Sequence, residues 1–158
     1  LMLPDNFIIQ DLLKEVYENL LYKAEEKQIR CIIKKGCELP LSVFADKEKI
    51  RQVLLNLVDN AIKYGKQNGT IEASFYKVDE ASVLIEISDD GFGIPEDHLL
   101  RIFERFYRTD LARSRKVGGS GLGLAICKHI VEAHGQSIHA RSKIDVGSTF
   151  GFTLESKK

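Results

Sequence analysis

Leu54-Leu55-Asn56-Leu57-Val58-Asp59-Asn60-Ala61-Ile62-Lys63-Tyr64 carries two periodicities at once. Ile50, Val53, Leu54, Leu57, Val58 and Ala61 recur at helical spacing and predict a buried stripe. Asn56, Asn60 and Lys63 stand at i, i+4 and i+7, so they share a different face of the same helix, with Tyr64 beside them at its end. Asp46 opens this helix and Gly65 stops it. The apolar stripe needs a second layer, and the flanking sequence supplies one.

Downstream, Gln67-Asn68-Gly69 is turn chemistry. Residues 70–77 and 82–88 alternate apolar and polar residues around Asp79-Glu80, as a hairpin does. Residues 137–142 and 147–155 repeat the pattern around Asp145-Val146-Gly147. Upstream, Val43-Phe44-Ala45 and residues 29–37 read as strands, with Gly36 ending or bulging the second. Phe7-Ile8-Ile9-Gln10 is a short β-branched run that reads as a strand. Asp11 then caps a helix built on Leu12, Leu13, Val16, Leu20 and Leu21 and running to about Lys27. Pro95-Glu96-Asp97 starts a short helix expected to reach about Tyr107. Residues 122–134 form the last helix, terminated by Gly135. Residues 109–120 are poor in apolar side chains, end in two glycines and read as a mobile loop. Helices alternating with paired strands predict an α+β chain, a two-layer α/β sandwich.

The 158 residues suffice for one compact domain, taken as 1–158. The apolar fraction of 44% and charged fraction of 29% are those of ordinary globular chains. Lys plus Arg and Asp plus Glu are both 23, which argues against a nucleic-acid partner. Cys31, Cys37 and Cys127 match no zinc spacing and read as reduced thiols of a cytosolic protein. No run approaches the ~20 apolar residues of a membrane span, and no signal peptide is visible. The chain begins at Leu1, so it is expected to be a piece of something longer.

Four features carry candidate chemistry. The Asn56, Asn60, Lys63 stripe taken alone is the solvated face of an amphipathic helix. Asparagine is a poor helix-interior residue, however, because its side chain competes for the backbone. An amide oxygen is a hard neutral ligand suited to magnesium, and a lysine one turn on suits phosphate. Second, the apolar run 83–87 leads into Ser88-Asp89-Asp90-Gly91-Phe92-Gly93-Ile94-Pro95. This places a carboxylate at a sheet edge among glycines that let backbone approach a ligand, and such a carboxylate can accept a hydrogen bond from an exocyclic amine. Third, Gly118-Gly119-Ser120-Gly121-Leu122-Gly123-Leu124-Ala125 runs into a helix start, an anion-binding arrangement. It is neither a dinucleotide fingerprint nor a Walker loop. Fourth, Ile102-Phe103-Glu104-Arg105-Phe106-Tyr107-Arg108 precedes the loop, whose Arg113, Arg115 and Lys116 make it either a solvated basic segment or a lid over a polyphosphate.

In this order the four motifs resemble the catalytic and ATP-binding domain of sensor histidine kinases, a GHKL-type domain. The wider ATPase family includes gyrase-type topoisomerases, MutL-type repair proteins and a heat-shock chaperone. The resemblance covers about residues 7–154. Residues 54–64 look like the asparagine box, 89–93 the first glycine box and 103–108 the phenylalanine box. Residues 119–124 look like the second glycine box, and Gly147-Ser148-Thr149-Phe150 the closing one. The resemblance implies a Bergerat-type fold, a mixed, mostly antiparallel sheet with helices on one face. It implies ATP and Mg2+ as cofactors. Asp89 would accept the adenine amine, with Gly91, Gly93, Ile94, Phe106 and Thr149 around the nucleotide. Asn60 would hold magnesium with Asn56 beside it, Lys63 would contact phosphate, and Tyr64 would stack on adenine. Arg108 would reach the terminal phosphate. Gly119, Ser120, Gly121, Leu122, Gly123 and Leu124 would admit the triphosphate. Asn56, Lys63 and Arg108 are the candidates for the transfer step.

In the hydrolysing relatives, a glutamate four residues before the magnesium-binding Asn serves as general base. Here that position is Asn56, and an amide cannot take a proton at neutral pH. Phosphoryl transfer to a partner is therefore favoured over hydrolysis. His98, His129, His134 and His139 lie in no phosphoacceptor setting. The expected acceptor is a dimerisation domain of the same kinase outside this chain, with a response regulator downstream. The expected location is cytoplasmic, in a membrane-anchored or soluble bacterial sensor kinase, with no membrane contact by this domain. The alternatives are a non-transferring regulatory or clamp module of the same fold, or an anti-sigma-type serine kinase.

Overall fold

The computed structural model describes residues 1–107 and 123–158. In chain order the described elements are β1 (Asp5–Ile8), α1 (Ile9–Glu26), β2 (Arg30–Ile33), β3 (Ser42–Ala45) and α2 (Lys47–Lys63). There follow β4 (Thr70–Lys77), β5 (Ser82–Asp89), α3 (Glu96–Leu99), α4 (Gly123–Ala133), β6 (Ile138–Lys143) and β7 (Gly147–Ser156). The strands form one sheet in the order β1-β3-β7-β5-β4-β2, and β6 also pairs with β7. Only the β2–β4 pairing is parallel among the described strands. β7 is long enough to take both β3, along its C-terminal end, and β6, along its N-terminal half.

Alternation along the strands makes one face of the sheet apolar. Val43 and Ala45, Ile71, Ala73 and Phe75, Val83, Ile85 and Ile87, and Phe150, Phe152 and Leu154 are all buried on that face. Against them pack α1 through Ile9, Leu12, Leu13, Val16 and Leu20, α2 through Ile50, Val53, Leu54, Leu57 and Val58, and α4 through Cys127 and Val131. This is a mixed open sheet with its helices on one face, as the sequence predicts.

Asp46 caps α2 as expected, its Oδ1 accepting from Lys49 N at 3.2 Å. The expected strand over residues 7–10 is displaced. β1 ends at Ile8, and Ile9 and Gln10 already belong to α1, whose N-cap, Ile8, supplies no side-chain cap. Asp11 lies in the first turn instead of capping it. Gln10 is buried because its amide secures the loop before β3: Nε2 donates to Cys37 O (3.2 Å) and Leu39 O (2.8 Å), and Oε1 accepts from Leu41 N (2.9 Å).

The strand expected over 29–37 pairs only through Arg30–Ile33. A turn at Lys34, where Cys37 N donates back to Lys34 O, carries the chain off the sheet. The helix expected to reach Tyr107 stops at Leu99. Beyond it Arg101 N, Ile102 N and Glu104 N donate three residues back, so the chain continues as turns. Leu100 and Phe106 are exposed there, so the segment lacks the continuous buried stripe that would sustain a helix.

Candidate functional site

The end of β5, the end of α2, the start of α4 and the β6–β7 hairpin converge at one end of the sheet. Asp89, the last residue of β5, is the most perturbed carboxyl there. Burial pushes its pKa from 3.8 up to about 6, opposed by hydrogen bonds from Gly91 N and Ser148 N, with the neighbouring Asp90 raising it slightly. Gly91 N donates to Asp89 Oδ1 at 2.9 Å. A partly buried carboxylate anchored through backbone amides is a preset acceptor for an N–H group. Asp90 is used differently. Its Oδ1 accepts from Thr70 N at 2.9 Å and fixes the start of β4.

The glycines of the first glycine box are required by backbone contacts. A Cβ on Gly91 would lie 2.5 Å from Tyr64 O and 3.1 Å from Gly65 Cα. The Asp89–Gly91 turn therefore rests directly on the backbone that ends α2. Gly93 has φ +79°, and a Cβ there would strike Lys143 O. Gly147, at φ +141°, lies so close to Asp89 O that it too has no room for a side chain. Ser142 Oγ, which accepts from Ile94 N at 2.7 Å and meets Ser148 Oγ at 2.7 Å, ties the turn to the hairpin.

On α2, Asn56, Asn60, Lys63 and Tyr64 are all partly exposed. Asn56 Nδ2 donates to Gly123 O at 3.2 Å and its Oδ1 accepts from Gln52 Nε2 at 3.1 Å. Asn56 thereby fastens the first turn of α4 to α2. Asn60 uses its backbone carbonyl to accept from Tyr64 N, and its side chain makes no hydrogen bond to another described residue. Lys63 Nζ lies 3.1 Å from Asp59 Oδ2, and Asp59 Oδ1 is 3.0 Å from Lys23 Nζ. Asp59 thus sits between two ammonium groups. Leu124 packs on the core beside this face.

Two expected site residues stand elsewhere. Thr149 is on the sheet face without helices, where its Oγ1 meets Ser88 Oγ at 2.8 Å. It is not beside the Asp89 carboxylate. Ser148, which the sequence reading omitted, is the buried hydroxyl residue on the helix side, and its N–H serves Asp89. The signal was present in the alternation of Ser148 with Phe150, Phe152 and Leu154. Phe106 is 66% exposed and has φ +64°, so it projects into solvent, whereas Phe103 packs edge-on to Phe150 with ring centroids 6.1 Å apart. Arg108, Gly119, Ser120, Gly121 and Leu122 lie outside the described residues, as do Arg113, Arg115 and Lys116 of the segment read as a loop.

No cluster of three His, Cys, Asp or Glu side chains able to hold a metal is present among the described residues. A magnesium ion held by one amide oxygen and by substrate phosphates needs no such cluster, and the Asn60 amide fits that donor set. No described helix is long and apolar enough to cross a membrane.

The pattern of the histidine kinase-, DNA gyrase B- and HSP90-like ATPases matches residues 45–158. The sensor histidine kinase WalK of Bacillus subtilis is 46% identical over 119 residues, 75% of this chain and 20% of WalK. The catalytic domain of histidine kinase ThkA superposes with a TM-score of 0.82 at 31% identity, covering 99% of this chain and 100% of that one. Full-length ShkA in complex with AMPPNP superposes with a TM-score of 0.87 at 29% identity, covering all of this chain and 32% of ShkA. The chain therefore spans about a fifth of the length of WalK.

Proposed function

The chain belongs to the histidine kinase-, DNA gyrase B- and HSP90-like ATPase family, and we propose that it is the catalytic domain of a sensor histidine kinase. In this reading it binds Mg·ATP and donates the γ-phosphate to a histidine on a separate dimerisation domain of the same kinase. A response regulator takes the phosphate onward.

The observation that carries transfer over hydrolysis is the state of Asn56. Its amide is engaged at both ends, by Gly123 O and Gln52 Nε2, and it has no basic atom to accept a proton from water. The nearest carboxylate on α2, Asp59, is ion-paired with Lys23 of α1, a pair that does not depend on Lys63. Catalysis then comes from positioning and electrostatics, the terms that dominate phosphoryl transfer.

The residues divide the work. Asp89 accepts a hydrogen bond from the adenine amine, and Gly91 leaves the base room to approach. Tyr64 flanks the base. Asn60 is the magnesium ligand; the ion, when bound, offsets phosphate charge. Lys63, one turn further along α2, exchanges Asp59 for a phosphate oxygen. Arg108 and the glycines at 119–123 would enclose the phosphates. Ser148, whose backbone N–H serves Asp89, supports that carboxylate from the neighbouring strand.

The purified chain should bind Mg·ATP with 1:1 stoichiometry by calorimetry and release almost no phosphate in a steady-state assay. Robust turnover by the chain alone would show that a base exists and would remove the argument from Asn56.

A further inference from the structure

Lys27 lies one residue past α1 and belongs to none of the motifs. Its ammonium donates to three carbonyls, Ile62 O at 2.8 Å, Lys63 O at 2.7 Å and Gly65 O at 3.4 Å. An ammonium has three N–H donors, and here all three converge on the end of one helix. That end carries open carbonyls and the negative pole of the helix dipole, so a cation is well placed there. The backbone of Lys27 grips the same segment from its other end, since its carbonyl accepts from Asn68 N at 2.8 Å. Arg30 N to Gly69 O, at 3.0 Å, continues the seam.

Between Lys63 and Gly65 stands Tyr64, whose carbonyl lies against Gly91: a Cβ there would be 2.5 Å from Tyr64 O. Gly91 N in turn holds Asp89 Oδ1. An unbroken run of contacts therefore leads from the Lys27 ammonium, through the Tyr64–Gly65 backbone, to the Asp89 carboxylate. On the other side Gly65 is confined by Ile29, whose Cδ1 would lie 3.0 Å from a Cβ at that position.

We propose that Lys27 is a positioning residue of the adenine pocket, setting the backbone on which the Asp89–Gly91 turn rests. This rests on reading Asp89 as the acceptor of the adenine amine. Lys27 acts through that backbone and so governs discrimination between bases.

The test compares Mg-dependent binding of ATP and of the purine riboside triphosphate lacking the exocyclic amine. Calorimetry is run on the wild-type chain, Lys27→Met and Lys27→Arg, with melting temperatures recorded alongside. The wild type should prefer ATP by about tenfold or more, as one charge-assisted hydrogen bond implies. Lys27→Met should reduce that preference by about threefold or more, because the acceptor is no longer held in register. Lys27→Arg, which keeps the charge and donors, should restore most of it. A lowered melting temperature with an unchanged preference would make Lys27 a structural cap only and overturn the proposal. A wild-type preference near one would instead remove the adenine reading of Asp89 on which the proposal stands. Should Lys27→Met not fold, Lys27→Gln, which keeps two donors, carries the same comparison.

Discussion

Replacing Asp89 with asparagine should make the domain more stable while weakening its hold on ATP. Burial raises the Asp89 pKa from 3.8 to about 6, which means that the fold disfavours the charged carboxylate by up to about 3 kcal/mol. The folded-state pKa lies above the unfolded one. The carboxyl therefore contributes stability that is fully present below about pH 4 and is lost as the pH rises through about 6. Asparagine is neutral throughout and avoids that loss. In urea denaturation at about pH 8, Asp89→Asn should exceed the wild type by as much as about 3 kcal/mol, less whatever the weaker Gly91 and Ser148 hydrogen bonds give up. The difference should shrink between about pH 6 and about pH 4. ATP affinity should fall in the same variant. Gly91 N keeps the amide oxygen, at the 2.9 Å it now has to Asp89 Oδ1, and turns Nδ2 toward the adenine amine, donor against donor. The loss should be about tenfold or more by calorimetry. A variant no more stable than the wild type at about pH 8, with a difference insensitive to pH, would refute the burial argument.

Three further outcomes follow from the same geometry. ATP affinity of the wild type should be level above about pH 7 and fall toward tenfold per pH unit well below 6, because adenine binding requires the ionised carboxylate; a flat calorimetric profile down to about pH 5 would contradict this. Gly91→Ala would place a Cβ 2.5 Å from Tyr64 O, so thermal unfolding should report a loss of about 1–3 kcal/mol. Nucleotide binding should weaken in the same protein. Asn60→Ala should leave magnesium-free nucleotide binding close to the wild-type level and abolish the gain that magnesium brings, measured by titrations with and without the ion.

Much of the architecture was written in short-range pattern. The alternation of residues 70–77 and 82–88, the stripe from Ile50 to Ala61 and the Asp46 cap are local, and the elements formed where those signals lay. The start of α1 was harder, because Ile8, Ile9 and Gln10 suit a strand by type. What decides Gln10 is the loop 37–41, about thirty residues away, whose backbone its amide satisfies. The short α3 has a similar cause: Leu100 and Phe106 stay exposed, and sequence alone does not say which apolar residues will find cover.

Asp89, Gly91 and the asparagine face of α2, singled out by motif order, lie together because the Asp89–Gly91 turn rests on the backbone that ends α2. Thr149 faces Ser88 on the other side of the sheet, because the alternation along β7 puts Ser148 on the helix side beside Asp89. Motif order assigns no partner to Asn56, because Gly123 O reaches it only once α4 has packed on α2. The Lys63 partner is legible along α2 itself, where Asp59 stands one turn away at i,i+4; only Lys23, from α1, is added by packing. Lys27 was invisible for the same reason, its three carbonyls lying about thirty-five residues away.

The central claim is that this chain donates a phosphoryl group rather than giving it to water. The most direct measurement mixes the purified chain with a separately made dimerisation hairpin that carries an acceptor histidine, in the presence of Mg2+ and γ-labelled ATP. The account predicts acid-labile, base-stable label on the hairpin, none on the chain itself and little free phosphate. Acid-stable label on a serine, or rapid release of free phosphate with an unlabelled hairpin, would contradict it.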